Sequence, residues 1–134
     1  MDLRFETELP IRYRDLDTLE HVNNAIYGTF LEEARFRYFE RVLDVSIDDR
    51  GIVLANLNVD FRRPITLPDG TVRIACGVTE IGGSSFRIGY RVYSGGDDEP
   101  AATAETVLVA VDGQETRPVP QTWRERFTEF EPEL

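Results

Sequence analysis

Lysine is absent from this chain: all 15 residues counted as Lys+Arg are arginines, set against 25 Asp and Glu. Schiff-base catalysis by lysine is therefore excluded, and any phosphate contact from a cationic side chain must come from arginine, whose planar fork suits phosphate oxygens. Cysteine occurs once, as Cys76. It cannot form an internal disulfide, and its place in a strand pattern marks it as a small buried packing residue rather than a reactive thiol. With one histidine and one cysteine there is no nitrogen and sulfur ligand cluster, so no metal site is expected; a metal would have to rely on carboxylates alone. No apolar run reaches the ~20 residues that cross a membrane. The first residues lack the basic-then-apolar pattern of a secretory signal, so the expectation is a soluble cytoplasmic protein without membrane association. A formal net charge of −10 excludes general nucleic-acid binding, which needs a basic footprint.

The 134 residues, 41% of them hydrophobic, suffice for one domain with a sizeable core, expected to span 1–134. The acidic surplus, with a pI near 4.5, suits solubility in concentrated salt, where repulsion is screened. Adaptation to salt and a GC-rich codon bias both account for a lysine-free, arginine-bearing composition. Melting with and without molar KCl separates them.

Hydrophobic periodicity outlines the elements. Leu3, Phe5, Leu9, Ile11 and Tyr13 alternate with mostly charged residues, which predicts an antiparallel strand over 3–13. From Asn24 to Leu43 the spacing predicts a helix, with Tyr27, Leu31, Ala34, Tyr38 and Val42 in one stripe widened by Phe30 and Phe39. Asn23 is the expected N-cap, and Glu33 with Arg37 is an i,i+4 ion pair in the favourable order. Such a helix spans about 30 Å, the width of a small domain. After the polar break Asp48-Asp49-Arg50-Gly51, four strands are expected. They run over Ile52–Phe61, around Val72–Val78, around Phe86–Val92 and over Ala101–Val111, joined by turns at Pro68-Asp69-Gly70, Gly82-Gly83 and Ser94–Asp98. The tail, 117–134, carries a short Trp123–Phe127 helical pattern expected to pack peripherally. Short turns imply antiparallel neighbours, hence an α+β fold with one sheet and one dominant helix.

The densest chemistry lies in Arg14-Asp15-Leu16-Asp17-Thr18-Leu19-Glu20-His21-Val22-Asn23-Asn24-Ala25-Ile26-Tyr27, just before the long helix. It combines two carboxylates, the sole histidine and two amides with a helix start, whose first N–H groups have no partner in the helix and sit at its positive dipole end. Tyr13-x-Asp15-x-Asp17, His21-Val22-Asn23-Asn24-x-x-Tyr27 and Phe30-Leu31-Glu32-Glu33-Ala34-Arg35 follow in order. Val59-Asp60-Phe61-Arg62-Arg63-Pro64-Ile65, Ser84-Ser85-Phe86, Val109–Asp112 and Arg117-Pro118-Val119-Pro120 come later. In order and spacing, and over nearly the whole chain, these segments resemble the hotdog-fold acyl-CoA thioesterases of the 4-hydroxybenzoyl-CoA thioesterase-like family.

The resemblance implies a hotdog fold, with a five-stranded antiparallel sheet wrapped around one long central helix. It implies hydrolysis of acyl-CoA thioesters with Asp17 as the catalytic carboxylate, acting as nucleophile or as general base on water; both routes are open. Backbone N–H groups near Asn24 would form the oxyanion hole. Some relatives carry a histidine at the place of Asn24, which here can donate a hydrogen bond but cannot titrate near neutrality. His21, Asn23 and Tyr27 are expected to position the substrate, His21 chiefly by orienting the turn that holds Asp17. Asp15 reads as a turn or salt-bridge residue with Arg12 or Arg14, and Glu33 is the alternative catalytic carboxylate. Arg62, Arg63 and Arg87 with Ser84 and Ser85 are the expected contacts to the CoA phosphates; ordinary surface ion pairing is the competing explanation for these arginines. Coenzyme A is part of the substrate, and no separate cofactor is expected. The expected partner is a second copy, in a homodimer or homotetramer. Two other functions fit the same fold: a non-catalytic acyl-CoA-binding or sensing module, and an enoyl-thioester hydratase or dehydratase.

Overall fold

A computed structural model describes residues 2–44 and 51–134. In chain order it contains β1 (Phe5–Pro10), α1 (Ile26–Val42), β2 (Ile52–Phe61), β3 (Thr71–Ile81), β4 (Ser85–Ser94), β5 (Ala102–Asp112), the two-residue β6 (Glu115–Thr116) and α2 (Gln121–Phe130). The strands form one antiparallel sheet in the order β1-β3-β4-β5-β2, with β6 paired to β5. The sheet curls around α1, the hotdog arrangement. The expected polar break at Asp48-Asp49-Arg50 lies outside the described residues.

Amphipathic patterning explains the core. The α1 stripe Tyr27, Leu31, Ala34, Tyr38 and Val42, with Phe30 and Phe39, is buried. It faces Val72, Ile74, Cys76 and Val78 of β3, Phe86, Ile88, Tyr90 and Val92 of β4, and Leu108 and Ala110 of β5. Burial pushes the Cys76 thiol well above its ordinary value, so it packs as a small apolar residue. The Glu33–Arg37 pair forms at 3.1 Å.

Three expectations are corrected. β1 stops at Pro10 and does not run to Tyr13, because Tyr13–Asp15 is a 3-10 turn. Buried Asp15 makes that turn: its Oδ2 accepts the Arg12 backbone N–H at 2.8 Å, and Arg12 Nη2 reaches Oδ1 at 3.0 Å. α1 starts at Ile26 instead of Asn24. Asn23 Oδ1 accepts the Ala25 N–H at 2.9 Å, so it closes the turn ahead of the helix instead of capping the helix proper. The C-terminal segment is integral and not peripheral. Trp123 and Phe127 of α2 are buried, Phe127 against the rings of Tyr38 and Phe86.

β2 is an edge strand, paired to β5 alone among the described residues. Val53, Leu54, Leu57 and Phe61 are exposed on it. The register slips at Ala55, between Leu54 and Asn56. A ten-residue edge strand that exposes four large apolar side chains beside an unpaired backbone edge is a ready site for another strand.

Candidate active site

The catalytic candidate sits on a tight loop. Leu16 bridges Val22 and closes the loop at its base, and His21 bridges Thr66, which pins the far end of the loop to the segment after β2. Within it the Asp17 N–H donates to the His21 carbonyl at 2.8 Å, and the Glu20 N–H donates to the Asp17 carbonyl at 3.0 Å. Glu20 takes φ +64, a left-handed conformation that costs a non-glycine residue about 1 kcal/mol or more and persists only where surrounding contacts hold it. The side chain of Asp17 completes the turn. Its Oδ1 accepts the N–H groups of Leu19 at 2.8 Å and of His21 at 3.1 Å. Oδ2 accepts no hydrogen bond among the described residues. The carboxylate is thus oriented through one oxygen and exposed at the other.

The His21 backbone both donates to and accepts from Asp17. Its imidazole is half-buried and faces the cavity. Of the amides leading into α1, Asn23 donates to the Asp15 carbonyl, Ala25 to Asn23 Oδ1, Ile26 to the Asn23 carbonyl and Tyr27 to the Asn24 carbonyl. The Asn24 N–H has no acceptor among the described residues. Asn24 is also free of a capping bond, so both its amides remain available at the positive end of a 17-residue helix.

One cavity of about 320 Å3 gathers Asp17, His21, Val22, Asn24, Tyr27, Phe61, Arg62, Arg63 and Pro64. Six of the residues singled out from sequence therefore meet: Asp17, His21, Asn24, Tyr27, Arg62 and Arg63. Asn23 does not line it and acts through the turn. Tyr27 and Phe61 meet edge to face at 4.9 Å and form the apolar wall. Burial pushes the Tyr27 phenol up to about 12, which keeps it neutral. Phe61 was not singled out, although its place directly before Arg62-Arg63 was the available signal. Arg62 has no side-chain partner among the described residues. Arg63 is engaged by the Glu99 carbonyl and by Asp97 at 3.8 Å.

Ser84, Ser85 and Arg87 do not join this cavity. The register sets Ser85 level with Val109 and Val53, whereas Phe61 is level with Ala102 and Val92. The step from Ser85 to Val92 along β4 amounts to about 24 Å. Arg87 is occupied by Glu105 at 2.7 Å and Glu80 at 3.6 Å. Surface ion pairing thus accounts for Arg87 within one chain. Glu33 is paired with Arg37 and does not line the Asp17 cavity.

In chemical terms, a carboxylate with one free oxygen, an unpaired amide at a helix start and two arginines share one cleft. This set can attack or deprotonate, hold an oxyanion and bind an anion.

Comparison with known proteins identifies the family of the whole chain. The family model of the thioesterase-like superfamily matches residues 11–134. A thioesterase from Thermus thermophilus, solved with coenzyme A and zinc, is 37% identical with a TM-score of 0.87, covering 95% of this chain and 93% of that one. The long-chain acyl-CoA thioesterase FadM of Escherichia coli (strain K12) is 29% identical over 110 residues, 80% of this chain and 83% of FadM. Slr0204, a 1,4-dihydroxy-2-naphthoyl-CoA thioesterase from Synechocystis, shares the fold with a TM-score of 0.78 at 19% identity, over 93% of this chain and 96% of that one. With a family match running from Ile11 to the final residue, this chain belongs to the thioesterase-like superfamily.

Proposed function

We propose that this chain hydrolyses acyl-CoA thioesters to free acid and CoA, with Asp17 as the catalytic carboxylate. The observation that carries this is the half-bonded carboxylate of Asp17, fixed at Oδ1 with Oδ2 open, facing the same cleft as the unpaired Asn24 amide. The thioester carbonyl oxygen points toward that amide, which stabilises the negative charge that develops as the carbonyl carbon becomes tetrahedral. In one route Oδ2 attacks the carbonyl carbon, the C–S bond breaks, and CoA thiolate leaves an aspartyl mixed anhydride that water hydrolyses. In the other, Asp17 takes a proton from water as the water attacks, and returns it to the departing thiolate. Both consume one water and release one thiol and one acid, and both use only groups of the chain and water. Tyr27 and His21 frame the reacting carbonyl, and Asn23 holds the turn beneath it.

The CoA phosphates meet Arg62 and Arg63, and the contribution of Ser84, Ser85 and Arg87 comes from a second copy. Antiparallel pairing of two β2 edges about a two-fold axis would set the Phe61 end of one chain beside the Ile52 end of the other. The second copy's Ser85, level with its Val53, then lies toward the first copy's Arg62. The same pairing covers Val53, Leu54, Leu57 and Phe61. A homodimer is thus the smallest assembly with a complete site, and a homotetramer contains the same unit. The setting is cytoplasmic, where CoA esters are made.

The test is release of free thiol from a panel of acyl-CoA esters. One thiol per ester, matched by one equivalent of acid, is the expected result. Tight binding across the panel without thiol release would make the protein an acyl-CoA-binding module instead. Hydration of a 2-enoyl-CoA, with the thioester intact, would move it to the hydratase class.

A further inference from the structure

A second concavity adjoins the Asp17 cleft. It has a volume of about 400 Å3 and is lined by Tyr13, Leu16, Leu19, Glu20, His21, Thr66, Leu67 and Pro68. His21 is common to both cavities. Apart from Glu20 and Thr66 the new lining is apolar, in a chain of net charge −10, yet its large side chains are open to water: Tyr13 is 83% exposed, Leu19 72% and Leu67 36%. Single exposed apolar residues are ordinary, but three that converge with Leu16 and Pro68 on one hollow form a patch that solvent does not favour.

We infer that this hollow is the acyl-chain arm of the site, and that the substrates are thioesters of straight-chain acids long enough to reach it. The inference rests on the thioesterase reading above and deepens it. An acyl-CoA has an anionic end and an apolar end joined at the thioester. The two hollows that meet at His21 have matching characters, one holding Arg62 and Arg63 and the other Tyr13, Leu19, Leu67 and Pro68. Glu20, at the rim of the apolar hollow, opposes entry of the phosphate-bearing end from that side. The arm is also linked to the reacting group. The Leu19 N–H that orients Asp17 Oδ1 belongs to the residue whose side chain walls the hollow. A chain lying against Leu19 therefore steadies the turn that aims Asp17, so chain length acts on turnover as well as on binding.

The test pairs Tyr13→Ser with Leu67→Ser, exposed positions outside the Asp17 turn. Dissociation constants for acyl-CoA esters from four to sixteen carbons are measured in the non-turning Asp17→Asn background, and kcat/KM is measured in the active one. Expected is a rise in affinity with chain length that the paired substitutions flatten. The longest ester should lose about tenfold or more from the removed apolar contact, while the four-carbon ester changes less than about twofold. An equal change at every length, or none, overturns the assignment. So does a change of oligomeric state on substitution, which would make the hollow a contact between copies. Binding slopes report on the hollow without turnover, and thiol release by the unsubstituted enzyme reports on the reaction, so the two claims fail separately.

Discussion

Replacing Gly77 with alanine probes how the C-terminal segment is locked to the core. A Cβ at that position would lie 2.5 Å from Glu131 Oε2 and 3.2 Å from its Cδ, well inside normal contact. The carboxyl must move, yet it is buried and accepts the Tyr38 hydroxyl at 2.6 Å. Breaking that bond leaves the buried Tyr38 hydroxyl proton without its acceptor, although its oxygen keeps the Val78 N–H at 3.3 Å. The loss is about 1–3 kcal/mol, and residual crowding adds roughly 1 kcal/mol. The expected destabilisation is about 2–4 kcal/mol, or a Tm roughly 6–12 °C lower for a domain of this size. Gly77 does not take a positive φ, so nothing else penalises alanine there. Once Glu131→Ala has removed the obstacle, Gly77→Ala should stabilise by about 0.5 kcal/mol, because alanine loses less backbone freedom in a strand. Urea unfolding of the wild type, both single variants and the double variant closes the cycle. Additive effects would refute the contact.

Three further outcomes follow from the same contacts. Burial, the largest influence, raises the Glu131 carboxyl above its ordinary 4.5. Its contribution to stability is therefore full below that ordinary value and is lost as pH rises through the raised native value. Glu131→Gln should flatten this part of the urea-midpoint profile between pH 4 and 8, and an unchanged slope would contradict the assignment. Arg62→Ala should raise KM for CoA esters about tenfold by removing a charge-assisted phosphate contact. Thioesters of pantetheine, which lack the phosphates, should be unaffected; an equal rise for both would remove Arg62 from the phosphate site. Leu57→Asp, on the β2 edge, should dissociate the oligomer and abolish activity together in sedimentation and turnover assays, whereas a fully active monomer would refute the shared site.

Much of this molecule was legible because its patterns are periodic. The α1 stripe and the alternation of β3 and β4 come from residues that face one core, and β2, β4 and β5 match their expected spans within about a residue or two. Local turn chemistry hid the rest. Alternation continued through Ile11 and Tyr13, but Pro10 and the buried Asp15–Arg12 pair turn the chain out of the sheet. In the tail, Glu131 looks like one more surface acid; its burial depends on Gly77, whose missing side chain has no signature until the two segments meet. The Asp17 cleft was readable as a motif because its loop is contiguous. The distance between Ser85 and Arg62 was not, since it depends on strand register.

The central claim is that Asp17 carries the chemistry, and the most direct measurement is kcat/KM of Asp17→Asn on the best acyl-CoA ester. Asparagine keeps an oxygen for the Leu19 and His21 N–H groups, so the turn, the melting temperature and the oligomer should survive. The account predicts a loss of at least about 100-fold with those properties intact, the scale of removing a catalytic base. Turnover within a few-fold of wild type in a folded, assembled Asp17→Asn protein would contradict it.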